Sequence, residues 1–194
     1  MAHGFTRRRR GGVVATFGGF EADLLRSLAS QLVELLRNEV AAPTAAEDPL
    51  ETLLDFSGPT TEPEDPVLAR LFPTAYPTDE VAAGEFRRFT EGALRDSKAR
   101  AAALVIDALE EAGLPPHLQE DGLEIDVELR PDQAQSWLRT FTDIRLALAT
   151  RLGVEEGDEE YWHALADDDP AANVHDIYEW VGYLQETLVQ ALSR

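Results

Sequence analysis

The sequence predicts a predominantly helical α+β fold, with several long packed helices beside a small antiparallel sheet. Three observations carry that reading. Long stretches repeat apolar residues in steps of three and four, the helical period. "LEIDVEL", residues 123–129, alternates apolar and acidic residues with the period of a strand. "FTRRRRGGVV", residues 5–14, places two short strand-like stretches around a glycine pair.

The hairpin comes first. Gly11-Gly12 tolerates positive φ and marks a tight turn. A three-residue connection sets Phe5 opposite Phe17 and a two-residue one does not, so the register stays open. From Phe20 the period becomes helical: Phe20, Leu24, Leu28, Leu32 and Leu35 form the stripe of one long amphipathic helix that ends near residues 38–40. Residues 41–66 are rich in Pro, Ala and Glu and read as a mobile linker with an apolar island at Leu50, Leu53, Leu54 and Phe56. In "DPVLARLFP" Asp65 caps a short helix, Pro66 suits its first turn and Pro73 stops it.

Thr78, followed by Asp79 and Glu80, starts the longest helix, with Phe86, Phe89, Ala93, Ala101, Leu104 and Ala108 as its core stripe up to Gly113. Gly84 and Gly92 each weaken it by about 1 kcal/mol relative to alanine, unless a neighbour packs closely there. The strand at 123–129 is too short to stand alone, so it joins the N-terminal hairpin in one sheet. A helix then runs from Pro131 to Leu152 with Ala134, Trp137, Phe141, Ile144, Leu148 and Leu152 on one side, closed by Gly153. Asp169-Pro170 opens the last helix. Its residues Val174, Ile177, Val181, Leu184, Leu188 and Ala191 form a heptad seam that either packs within the chain or makes a homodimer. The 194 residues read as a single domain.

Charge restricts the function. The chain carries 37 Asp and Glu against 17 Lys and Arg, a formal net charge of −20, whereas nucleic-acid binders show a basic face. Direct DNA contact through Arg7, Arg8, Arg9 and Arg10 therefore works against the field of the rest of the chain. There is no cysteine, which removes disulfides, thiolate metal sites and thiol catalysis from this sequence and suits a reducing compartment. No apolar run has the length of a membrane span, and no apolar stretch follows the N-terminal arginines to make a secretory signal. The expectation is a soluble, cytoplasmic protein.

No catalytic motif is present: no nucleophile elbow, no phosphate-binding P-loop and no H-E-x-x-H. His3, His117, His163 and His175 have unrelated spacings, and Asp167-Asp168-Asp169 lacks the alternation of a calcium loop. No enzyme activity, cofactor or metal is expected.

Two arginine groups remain. Arg7–Arg10 can pair across the sheet with the acidic face of 123–129, but alternation sends two of them to each face, leaving others for a partner. In "WLRTFTDIRLALATRLG", residues 137–153, Arg139 can pair with Asp143 four residues on, and Arg145 can reach a carboxylate on a neighbouring helix. The alternative is a recognition patch with Trp137 as anchor and Arg139 and Arg145 at its rim.

That stretch, with "DPVLARLFPTAY", "EFRRFT" and "VHDIYEWVGYLQETLVQAL", resembles an actinobacterial family long known as a domain of unknown function, which includes the oxidation-sensing transcription regulator AosR. The resemblance covers nearly the whole chain and rests on packing and charge patterns. It implies a non-enzymatic regulator of the stress response whose protein partner is a sigma factor or RNA polymerase; a link to the Clp protease adaptor is a further implication. Redox sensing in the regulator relies on cysteines near the N-terminus. Phe5, Thr6, Arg7, Arg8 and Arg9 stand there instead, so no sensing residue carries over. The reading is a transcription-associated, protein-binding regulator, with direct DNA binding through the arginine run as the alternative.

Overall fold

A computed structural model describes residues 3–8, 11–38, 58–117, 122–166 and 168–193. Arg9, Arg10 and the apolar island of the linker lie outside the described residues. Two strands open the chain, β1 (His3–Arg7) and β2 (Val13–Gly18), followed by helices α1 (Gly19–Asn38), α2 (Pro66–Leu71) and α3 (Glu80–Glu111). Strand β3 (Glu124–Leu129) precedes α4 (Pro131–Leu152), α5 (Glu159–His163) and α6 (Pro170–Ser193). The predicted class holds: a mainly helical protein with a three-stranded antiparallel sheet in the order β1-β2-β3.

Alternation decides the sheet's two faces. Val13, Ala15 and Phe17 of β2 stand opposite Leu129, Val127 and Ile125 of β3, and all six are buried. Val14, Thr16 and Gly18 stand opposite Glu128, Asp126 and Glu124 on the other face, where the β3 acids are exposed. The hairpin turn closes through Arg8 N–H to Gly12 O and Gly11 N–H to Arg8 O, with Gly11 at φ 89°, a conformation that favours glycine. Neither simple register occurs. Thr6 faces Val14 and His3 faces Thr16, so the pairing slips by one residue between them; Phe5 and Phe17 meet on one face at 6.0 Å between ring centroids without being directly opposite.

The helices stack on the buried face. α3 packs between α1 and α4, α6 lies on α4 and β1, and α2 rests on α4. The expected stripe of α1 is displaced: Ala22, Leu25, Ala29, Leu32 and Leu36 are buried, and Phe20 is 73% exposed. Asp65 caps α2 as predicted, accepting from the Val67 and Leu68 amides at 2.7 and 3.2 Å. Asp79, one residue beyond the predicted Thr78, caps α3 by accepting from Ala82 N–H at 3.0 Å.

The core stripe expected for α3 is corrected more deeply. Phe86, Phe89 and Leu104 are 45%, 63% and 40% exposed, while Arg87, Glu91 and Arg95 are buried. Of the two readings of the α6 seam, packing within the chain accounts for Val181, Leu184, Leu188 and Ala191, which are buried on the helix that packs against α4 and β1. Thr187 adds a polar lock by accepting from Phe5 N–H at 3.1 Å.

Candidate functional site

The hairpin arginines divide between sheet electrostatics and solvent. Arg8 Nη1 reaches Glu128 Oε1 at 2.7 Å, with both side chains about half exposed, a pair worth roughly 0.2–1 kcal/mol. Beside it Thr16 Oγ1 donates to Asp126 Oδ1 at 2.6 Å. Arg7 is exposed at the end of β1. Thus Arg8, of the two described arginines in the run, does what the acidic strand face asks of it.

Helix α4 rearranges the other group. Trp137, the expected anchor, is 0% exposed: its ring packs against Phe5 at 5.7 Å, Phe141 at 5.8 Å and Phe17 at 6.3 Å, at the junction of sheet and helices. It is a core residue, because burying an indole against three rings outweighs any gain from leaving it in solvent. Arg139 is exposed, but Asp143 is paired with Lys98 Nζ of α3 at 2.6 Å and not with Arg139. Burial holds the Asp143 carboxyl above its ordinary pKa, and Lys98 opposes that shift.

Arg145 reaches the neighbouring helix, though not a carboxylate. Its Nη1 donates to Gln185 Oε1 and its Nη2 to the Tyr178 hydroxyl, both at 3.1 Å, and the guanidinium carbon sits 4.8 Å from the Tyr178 ring centroid. Gln185 is itself held by donating to Thr142 Oγ1 at 2.7 Å. Gly182 makes this fit possible: a Cβ there would stand 3.3 Å from the guanidinium carbon and Nε. The buried Nε has no hydrogen-bond partner among the described residues. The result is a permanent cation hydrogen-bonded to neutral groups, at the edge of an open groove of about 630 Å³ along α6 that Tyr183 and the acids Glu179 and Glu186 also line.

The same cation ends a row of stacked rings. Trp162 of α5 lies parallel to His175 at 4.7 Å, and His175 leans on Tyr178 at 5.8 Å. The histidine is thereby a packing element of the α5–α6 junction. Among the described residues no group of three or more His, Cys, Asp or Glu is placed to hold a metal ion.

Sequence reading missed the most heavily buried charges. Glu91 of α3 bonds Arg87 at 2.6 Å on one side and Arg95 at 2.7 Å on the other. Arg87 also donates to Phe72 O at 3.1 Å, and Arg95 to Leu36 O at 3.3 Å, with its guanidinium carbon 4.7 Å from the Phe72 ring centroid. Leu36 lies in the last turn of α1, where a carbonyl lacks a helical partner and a cation is favoured. The triad therefore fastens the ends of α1 and α2 to α3. Its signal was readable: Arg87, Glu91 and Arg95 are spaced by four, the interval at which side chains meet on a helix.

The sequence is similar to those of known proteins. Residues 2–192 match a family described as a domain of unknown function, DUF2017. The chain belongs to the DUF2017 family. Relatives of this DUF2017 chain include the oxidative stress regulator AosR of Mycobacterium tuberculosis (strain H37Rv) and of Mycobacterium bovis, each 27% identical over 186 residues, covering 89% of this chain and 78% of theirs. A Mycobacterium leprae protein provisionally given the same name is 32% identical over 187 residues, with the same coverage. No solved structure matches. This DUF2017 member is AosR-like and contains no cysteine. Among its described residues no helix is long and apolar enough to cross a membrane.

Proposed function

We propose that this protein is a non-enzymatic, transcription-associated regulator in the cytoplasm that acts by binding another protein, a sigma factor or RNA polymerase, through the groove along α6 beside Arg145. Arg145 carries the reading. In a chain of net charge −20 it is a cation whose hydrogen-bond partners are neutral side chains, held rigid by Tyr178, Gln185 and the bare backbone at Gly182. A guanidinium fixed in this way loses little freedom when a partner's carboxylate or carbonyl meets it. Arg139 and Arg7 are further exposed contacts, and the acidic surface around them speeds encounter with a basic partner. The relatives' name supplies the biological setting of oxidative stress. The signal in this chain is not a thiol, since it has none.

The test is affinity capture from an extract of the source organism, with and without nuclease, using the native chain, Arg145→Gln and a form with Arg7 to Arg10 changed to serine. Nuclease-resistant recovery of polymerase or a sigma factor, lost in Arg145→Gln, is the expected result. Recovery that nuclease abolishes and the serine variant loses would replace this reading with direct DNA binding, whose affinity falls steeply with salt.

A further inference from the structure

A second cavity, of about 520 Å³, opens at the junction of α5 and α6, within the size range of small-ligand sites. The helical period aims one face of each helix into it. Helix α6 contributes Ala172, Asp176 and Glu179, spaced by four and three, and Trp162 of α5 follows Asp158 by four. One wall is aromatic, made of Trp162 stacked on His175 at 4.7 Å, with Tyr178 beyond it. Leu165 and Ala172 add apolar surface. Trp162 is 7% exposed, lines the cavity, and has an indole N–H that makes no hydrogen bond among the described residues.

Five carboxylates line the same cavity: Glu155, Asp158, Glu159, Asp176 and Glu179. Among the described residues none of them makes an ion pair with a lysine or arginine. Asp158 is fixed in place, accepting from Glu155 N–H at 2.8 Å. That bond, with smaller help from the Trp162 N–H and the His175 ring, holds its carboxyl below the ordinary pKa against the opposing effect of burial. Like charges gathered in a concave site focus their field on whatever enters it. The occupant must therefore bring a positive charge for the acids, an apolar stem for the walls and an acceptor for the indole N–H.

We propose that this cavity is a binding site for the side chain of an arginine carried on a partner protein, with the guanidinium among Asp158, Asp176 and Glu179 and the stem along the Trp162 wall. A guanidinium fits better than an ammonium, because its planar fork matches carboxylates and it is the more weakly hydrated ion. The fold already holds one in this way: Arg145 sits over the ring of Tyr178, a residue that also lines this cavity. A peptide-borne arginine brings its own main-chain carbonyls as acceptors. One side chain makes a small contact, so the expected dissociation constant is on the order of 1 mM. Arg145 is not part of this site, so the two readings stand or fall separately.

The experiment is an NMR titration of the full chain at constant ionic strength, reading the indole N–H signals of Trp137, Trp162 and Trp180, with the Trp162 signal assigned by Trp162→Phe. The probe is acetyl-arginine-amide, and its citrulline counterpart has the same shape without the charge. The arginine probe is expected to shift Trp162 saturably and leave the core Trp137 unmoved, with the citrulline probe weaker by about 10-fold or more. Asp158→Asn with Asp176→Asn should weaken binding about 10-fold or more, with an unmoved Trp137 signal showing that the variant is folded. Glu110→Gln with Glu111→Gln removes the same charge from the exposed end of α3 and should change binding by less than about 2-fold. Propylguanidinium, which lacks peptide carbonyls, should bind about 3-fold or more weakly than the arginine probe. No saturable shift at Trp162, or equal binding of the citrulline probe, would overturn the proposal. So would equal losses in the two double variants, which would reduce the effect to the field of the whole chain. Propylguanidinium binding as tightly as the arginine probe would overturn the assignment to a protein-borne arginine.

Discussion

Lys98 Nζ sits 2.6 Å from Asp143 Oδ1, so the chain's single lysine joins α3 to α4 through a carboxylate that solvent barely reaches. Burial raises the Asp143 pKa and Lys98 counteracts it, leaving the folded value above the unfolded one. The favourable contribution of the protonated acid is therefore complete below the unfolded pKa and is lost as pH rises through the folded pKa. Lys98→Met strands an ionised Asp143 in the interior. It is expected to destabilise the fold by about 3 kcal/mol at neutral pH, with the deficit shrinking toward acid pH as Asp143 takes up a proton. Urea unfolding at a series of pH values checks this, and a deficit independent of pH would contradict it.

Glu91 is the hinge of the buried triad. Glu91→Gln leaves Arg87 and Arg95 buried with no carboxylate between them and is expected to cost about 3–5 kcal/mol by chemical denaturation. Replacing all three residues by Leu or Met of similar volume should cost far less, because no charge is then left uncompensated. Equal losses in the single and triple variants would show that the triad's geometry, rather than charge balance, holds α1 and α2 to α3.

Asp65 carries the opposite pH dependence. Slight burial works to raise its pKa, but the bonds from Arg151 and from the Val67 and Leu68 amides lower it on balance. Its contribution is present above the unfolded pKa and fades as pH falls through the folded one. Asp65→Ala is expected to cost about 1 kcal/mol at pH 7 and less in acid, read by thermal unfolding.

The fold was legible where one kind of information sufficed. Strict alternation placed Ile125, Val127 and Leu129 inward, and Asp65-Pro66 marked the start of α2. The face of α1 was misread by one position because leucine doublets at 24–25 and 35–36 make two stripes about 100° apart equally apolar; only the neighbouring helix chooses between them. In α3 the failure had another cause. Apolar periodicity gives no credit to charges that neutralise one another, so Arg87, Glu91 and Arg95 were left outside while Phe86 and Phe89 were put inside. The candidate site shows the same division. Trp137 looks alike as core and as anchor, and the three rings from β1, β2 and α4 that decide between them are distant in sequence. That Arg145 reaches a neighbouring helix followed from its place beside the apolar stripe; that Tyr178 and Gln185 receive it, and no carboxylate does, required the α4–α6 packing.

Trp137→Ala should then act on the whole molecule, with a loss of about 3–5 kcal/mol in unfolding free energy and weakened partner binding only in proportion to the unfolded fraction. Binding lost at conditions where that variant is fully folded would return Trp137 to the contact surface.

The most direct test of the account is the affinity of the purified partner recovered by capture for the native chain and for Arg145→Gln, measured by isothermal titration with both forms shown to be folded. A fall of about 30-fold or more, with little change in stability, is the expected result for a fixed cation at the centre of an interface. Equal affinities would contradict it and leave Arg145 as a brace between α4 and α6.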